Sequence, residues 1–271
     1  MLHFTKRMFT VAGLLLAHAL TAQTFSSETQ PRFEENKGQW DQAVLYRTEL
    51  NNGFIYHERG GYTVHFSNLS DAYEEFHHGG GDAADVQIKN DVIKVSFVGA
   101  SSMVQTRAAG RNPVSRSYFT NNKLVNQTSD VGTFSELSYE QLYPGISLNY
   151  RSYRDIIKYD YIIAPGADAS LIRLEYNGAT KQEIDAEGNL VTSNSLGSIK
   201  EYAPVAYQET PSGRVNVLVQ FMIQNGQVSY YSPNGYDSNY PLVIDLFLAA
   251  STYSGSTADN WGFTACPGPT E

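Results

Sequence analysis

The chain reads as an all-β protein, an antiparallel sandwich or barrel-like pair of sheets, on two observations. Apolar residues alternate with polar ones along many short runs, and turn signals separate those runs at regular intervals. After residue 22 no stretch keeps a helical apolar period. Many short strands with frequent turns argue for two packed sheets or a closed one.

The clearest runs lie between Tyr139 and Leu190. Ile146, Leu148 and Tyr150 share one face, as do Ile157, Tyr159, Tyr161 and Ile163, and then Ile172, Leu174 and Tyr176. Such Tyr-rich, β-branched faces suit half-buried strands. Pro144-Gly145 and Pro165-Gly166 punctuate them, since proline presets φ and glycine tolerates positive φ. Asp185 to Asn189 closes a hairpin.

Upstream, Ala43–Thr48, Gly53–Glu58 and Tyr62–Ser67 read as strands, with Asn51 to Gly53 and Gly60-Gly61 as turns. Asp91–Val98 resumes the sheet with Ile93, Val95 and Phe97 inward, and Val114–Phe119 is a further strand. Residues 99–113 carry no clear period. The polar connector near 121–132 is the best place for a boundary between subdomains. Downstream, Ala203–Glu209 is a strand, and Arg214–Ile223 is the cleanest of all. There Val215, Val217, Val219, Phe221 and Ile223 fall on one face. Asn225-Gly226 turns the chain back into Gln227–Tyr231, and Leu242–Leu246 closes the domain.

Composition bounds the function. Charged residues make up 17% of 271, while 19 tyrosines and 13 phenylalanines are present. A net charge of -9 argues against nucleic acid as a partner. Lys6-Arg7, the apolar run from Val11 to Ala19 and Leu20-Thr21-Ala22 follow the order of a secretory signal peptide. Residues 1–22 are therefore expected to be removed on export. The apolar run is shorter than the ~20 residues of a membrane helix, so no span is expected after cleavage. Residues 23–32 read as a flexible leader and 33–250 as the β-rich domain. Cys266 is the only cysteine, which leaves the domain without an internal disulfide.

One cluster has metal-ligand chemistry: Glu74, Glu75, His77 and His78, with Asp82 and Asp85 nearby. Imidazole and carboxylate suit zinc. Their order matches no zinc signature, and the Gly79–Gly81 run orders ligands poorly, so a solvated acidic loop without metal is the reading preferred. His57 and His65 stand alone on strands and read as exposed polar positions. Asp185–Asn189 and Asn234–Asn239 are rich in oxygen ligands but lack the calcium-loop spacing, and read as turns. The dense tyrosines raise carbohydrate stacking, yet their alternation places Tyr150, Tyr159, Tyr161 and Tyr176 on core-facing sides. No motif supports hydrolase, nucleotide or dinucleotide chemistry. No cofactor and no catalytic residue is expected. Residues expected to carry structure are Pro144, Gly145, Tyr159, Tyr161, Pro165, Gly166, Val217 and Phe221.

Several segments carry a resemblance. They are FEENKGQ from Phe33, LYPGISLNY, IKYDYIIAPGADASLIRLEYNGA, APVAYQE, Tyr240–Asp245 and Ser251–Gly255. In this order they resemble a β-rich domain of unknown function found ahead of seven-bladed propeller (SBBP) repeats in large bacterial secreted proteins. The resemblance implies no catalytic residues. It implies that residues 251–271 open a propeller repeat left incomplete here, and that type IX secretion is the export route. The expectation is a non-catalytic exported domain, secreted or on the cell surface, partnered by the propeller repeats of its own chain and by a surface protein or glycan. The alternative is a carbohydrate-binding module or a remote glycosidase-like sandwich.

Overall fold

The computed structural model describes residues 32–50, 53–68, 87–119, 127–153 and 156–252. The expectations for residues 1–31, for the acidic cluster at 74–85 and for residues 253–271 lie outside these. The described chain is built of antiparallel strands, with one 3-10 turn at Ala169–Leu171. The N-terminal strands are β1 (Phe33–Glu35), β2 (Val44–Leu50), β3 (Gly53–Glu58), β4 (Gly61–Ser67) and β5 (Asn90–Phe97). Then come β6 (Gln105–Arg111), β7 (Arg116–Phe119), β8 (Gln127–Val131), β9 (Thr133–Tyr143), β10 (Ile146–Tyr153) and β11 (Ile156–Ile163). Next are β12 (Arg173–Asn177), β13 (Lys181–Ile184), β14 (Leu190–Ser193), β15 (Gly197–Glu201) and β16 (Val205–Thr210). The last are β17 (Gly213–Val217), β18 (Gln220–Gln224), β19 (Gln227–Tyr231) and β20 (Leu242–Thr252).

Two walls face each other. One runs β1, β2, β3, β4, β5, β12, β19, β18, each pairing with the next. The other runs β10, β11, β20, β16, β17. The long strand β9 joins them on one side. Its Phe134 pairs with Phe33 of β1, while farther along the same edge Leu137 pairs with Tyr150 of β10. Its other edge carries β6. On the opposite side the walls are joined by the chain itself, because β17 pairs with β16 and β18, two residues later, pairs with β19. The result is a barrel-like sheet that is nearly closed, and closure removes the exposed edges of an open sheet.

β20 is the best-held strand. It pairs with β11 along one edge, and with β16 and then β15 along the other. β14 and β13 extend the sheet beyond β15. A separate ribbon of β7 and β8 lies outside the barrel. The domain's last strand continues through Ser251 and Thr252, which pair with Ser198 and Gly197, two residues past the expected boundary at 250. Across the connector at 121–132 the sheet is continuous, since β1 pairs with both β2 and β9.

The interior follows from alternation. Ile146, Leu148, Tyr150, Ile157, Tyr159, Tyr161, Ile163, Ile172, Leu174 and Tyr176 are all buried, as the period of two requires. So are Tyr62, Val64, Phe66, Ile93, Val95 and Phe97. An aromatic file crosses the barrel from Tyr139 through Tyr150, Tyr159 and Tyr161 to Tyr230 and Phe221, with neighbouring centroids 5.5–6.0 Å apart. Each burial of this size contributes about 1.5–3 kcal/mol.

The stretch Arg214–Ile223 departs from its expected single strand. It forms two strands, β17 and β18, with a bend between them at Leu218-Val219, and only the middle of the stretch faces the core. Val219 and Phe221 are buried, Val217 is half-buried, and Val215 and Ile223 are exposed. A period of two cannot register a bend, because alternation continues through it while the direction of the strand changes. The Asn225-Gly226 turn is as expected, with both residues at positive φ (53° and 74°), the combination a tight hairpin demands.

Candidate functional site

The most concentrated polar chemistry lies inside the barrel, around Glu201. Glu201 follows Ile199 by two positions on β15, so both point inward. Its carboxylate is fully buried and receives three tyrosine hydroxyls. Tyr159 of β11 donates to Oε2 at 2.5 Å. Tyr176 of β12 donates to Oε1 at 2.6 Å, and Tyr62 of β4 to the same oxygen at 3.3 Å. Glu201 and Tyr159 lie on strands that flank β20 in one wall, Tyr62 and Tyr176 in the other, so the bonds from Tyr62 and Tyr176 cross the interior. The Tyr230 hydroxyl is buried in the same cluster and within reach of Tyr159, but no well-formed hydrogen bond holds it.

Burial pushes the Glu201 carboxyl above its usual range, and the three donors oppose that rise. Burial first, and then the nearby carboxylate, push Tyr62, Tyr159 and Tyr176 well above the usual phenol range. Hydrogen bonds to a charged group contribute about 1.5–3 kcal/mol each, set against several kcal/mol for burying the ion. With both oxygens occupied and no exposure, Glu201 has no route to a substrate. Its geometry fastens wall to wall.

His57, expected on the surface, is instead buried. Alternation along β3 pairs it with Ile55 on the inner face, where its Nε2 lies 3.1 Å from Thr48 Oγ1. Phe33 and Tyr150 pack edge-on against its ring. Burial drives its pKa down to about 3, so the ring is neutral. His65, the other lone histidine, is half-buried and stacks on Phe54 at 6.2 Å.

A second cluster sits on the outer face of β1–β3. Glu34 and Arg47 are directly opposite in register and 3.2 Å apart. The Arg47 guanidinium lies between the Trp40 and Phe54 rings, 4.3 and 4.4 Å from their centroids. The β7–β8 ribbon covers Glu34: Tyr118 donates to its Oε1 at 2.6 Å, and Arg116 reaches its Oε2 at 3.3 Å. Burial and the bond to Glu34 push the Tyr118 phenol up to about 12. Trp40 ends a self-bonded turn, in which the Asn36 side chain accepts from the Gly38 and Trp40 amides and donates to the Asp41 and Val44 carbonyls. The aromatic faces here hold an arginine of the same chain, and the cluster pins the ribbon to the barrel.

A third group lies on the outer face of β10, β11 and β20. Asp160 and Asp245 are cross-strand partners. Arg151 contacts Asp160 at 2.9 Å, and Lys158 contacts Asp245 at 2.5 Å. Burial, more than the neighbouring Asp245, raises the Asp160 carboxyl above its usual range.

The residues expected to carry structure are found as follows. Tyr159, Tyr161 and Phe221 are core residues, and Val217 is half-buried at the bend. Pro144, exposed, and Gly145, half-buried, form the turn between β9 and β10, with Gly145 at φ 72°, where a Cβ would come 2.7 Å from that of Ala167. Pro165 and Gly166 follow β11, and the Gly166 amide donates to the Ser238 carbonyl. Glu74, His77, His78 and Asp82 lie outside the described residues. Among the described residues no group of three or more His, Cys, Asp or Glu side chains is placed to hold a metal. Sequence reasoning missed Glu201, Glu34, Arg47, Asp160 and Asp245. For Glu201 the signal was present in its spacing from Ile199.

No curated protein and no solved structure matches this chain. A family model does, over residues 33–245, which takes in all three clusters and most of the chain. The chain belongs to the family described as Domain of unknown function (DUF7948).

Proposed function

We propose that this is a non-catalytic, exported structural domain that stands ahead of SBBP propeller repeats in a larger secreted or cell-surface protein and docks against them. The observation that carries this reading is Glu201. The strongest acid–base candidate in the barrel is sealed at 0% exposure, with both oxygens taken by tyrosines of facing walls. The Glu34–Arg47 cluster is likewise spent on holding the β7–β8 ribbon.

Two further features support docking. β20 is gripped on both edges and passes the chain on at Thr252, which suits a strand that must carry a following domain. The bent strand has no Pro, one charged residue (Arg214) and exposed Val215, Leu218, Met222 and Ile223. A stretch of this kind, with little charge and exposed apolar side chains, is a ready pairing surface.

The carbohydrate reading is weaker on the same grounds. Tyr150, Tyr159, Tyr161 and Tyr176 are in the core, and the Trp40 and Phe54 rings hold Arg47 between them. Hydrogen exchange distinguishes the two readings, measured on residues 1–271 alone and on the longer protein containing the downstream repeats. Docking predicts slower exchange at 213–224 in the longer protein. Identical exchange in both, together with slowing by soluble glycan, would overturn the proposal.

A further inference from the structure

The segments IKYDY and YPLVID, far apart in sequence, meet on the outer face of β11 and β20. Lys158 pairs with Phe247 and Asp160 with Asp245, so Lys158 reaches Asp245 diagonally. Its Nζ lies 2.5 Å from Asp245 Oδ2, with the two side chains only 24% and 16% exposed. The Phe247 ring covers the amine at 5.1 Å, and Tyr153 packs edge-on against Phe247. Asp245 Oδ1 is buried and without a hydrogen-bond partner. Beside it stands Asp160, 5% exposed, its Oδ2 held by Arg151. An amine, a carboxyl carbon and a second, covered carboxyl group are thus brought together on two central strands.

We propose that Lys158 and Asp245 become joined by an amide bond between Nζ and Cγ, with Asp160 carrying the protons. The ammonium first gives one proton to the Asp245 carboxylate, leaving a neutral amine and a neutral acid. The nitrogen lone pair then attacks Cγ, forming the C–N bond. Asp160 takes a proton from the nitrogen and delivers one to the departing hydroxyl. The C–O bond breaks, one water leaves, and Asp160 ends as it began. No oxidant or cofactor enters the balance.

The site has what each step requires. Lysine is a nucleophile once neutral, and its Nζ is held against the Asp245 carboxyl under the Phe247 ring. Asp160 is within reach of both reacting groups, and burial holds its proton more tightly than in an exposed carboxyl, which suits it to passing a proton between them. Fixed contact between amine and carboxyl on rigid strands replaces a bimolecular encounter with an intramolecular one. The product would tie β11 to β20 covalently, in a chain whose single cysteine cannot form an internal disulfide.

The test is the intact mass of the purified, denatured chain, followed by peptide mapping. The expected result is a mass lower by one water and a branched peptide joining Lys158 to Asp245. Asp160→Asn and Lys158→Arg should each restore the full mass, with Asp160→Asn keeping the Lys158–Asp245 contact. A wild-type chain of full mass that releases the Lys158 and Asp245 peptides separately would overturn the proposal, leaving an ion pair only. So would a water loss that maps elsewhere.

Discussion

His57 and Glu201 are both sealed in the barrel, yet acid acts on them in opposite directions. The folded His57 pKa is lowered to about 3 from 6.5. Between those values the unfolded chain binds more protons than the folded one, so this group's contribution is lost as pH falls below about 6.5. The loss is about 1.4 kcal/mol per pH unit inside the window. Glu201 and Asp160 are raised by burial, so above the ordinary carboxyl range the folded chain binds more protons, and mild acid favours it. A single pH curve mixes these effects, whereas comparison with His57→Gln separates them. Between pH 7 and pH 5 urea unfolding should show the wild type losing about 2 kcal/mol relative to this variant. Parallel curves for the two proteins would mean that His57 is not held neutral in the core.

At the scale of the element, the bent strand shows where reading a sequence succeeds and where it stops. The alternation of Val215, Val217, Val219, Phe221 and Ile223 correctly marked extended backbone. Nothing in that period marked the change of partner from β16 to β19, because partners are set by the rest of the sheet. The energetic consequence is a gradient along this stretch, from β17 to β18. Phe221→Ala should cost about 3–5 kcal/mol in urea unfolding, whereas exposed Val215→Thr should change stability by no more than about 0.5 kcal/mol. Equal losses at both positions would show that the strand is straight and buried throughout. The same limit explains β6 and β9. Residues 105–111 are mostly exposed on a flanking strand, and the start of β9 sits where the sheet divides, so neither shows a clean one-sided pattern. Strands with one wet face and one dry face, such as β4, β10 and β11, were legible throughout.

At the scale of the whole molecule, the all-β class followed from alternation, but the polar interior did not. Glu201 and His57 each obey the inward parity of Ile199 and Ile55, and only the expectation that charged and ionisable groups lie outside hid them. What makes their burial tolerable is contributed by other strands: Tyr62, Tyr159 and Tyr176, distant in sequence, for Glu201, and Thr48 of the neighbouring β2 for His57. The barrel therefore depends on groups that hydrophobic patterning alone would have placed in water. It also explains how the two walls keep one arrangement: the polar bonds across the interior have directional demands that apolar packing lacks.

That Glu201 serves to fasten the walls is the central claim, and a double-mutant cycle tests it most directly. Glu201→Gln, Tyr176→Phe and the double variant would be unfolded in urea at pH 7. The account predicts that each single change costs about 1–3 kcal/mol and that the pair is coupled by about 1–2 kcal/mol. Variants as stable as the wild type, with additive effects, would contradict it.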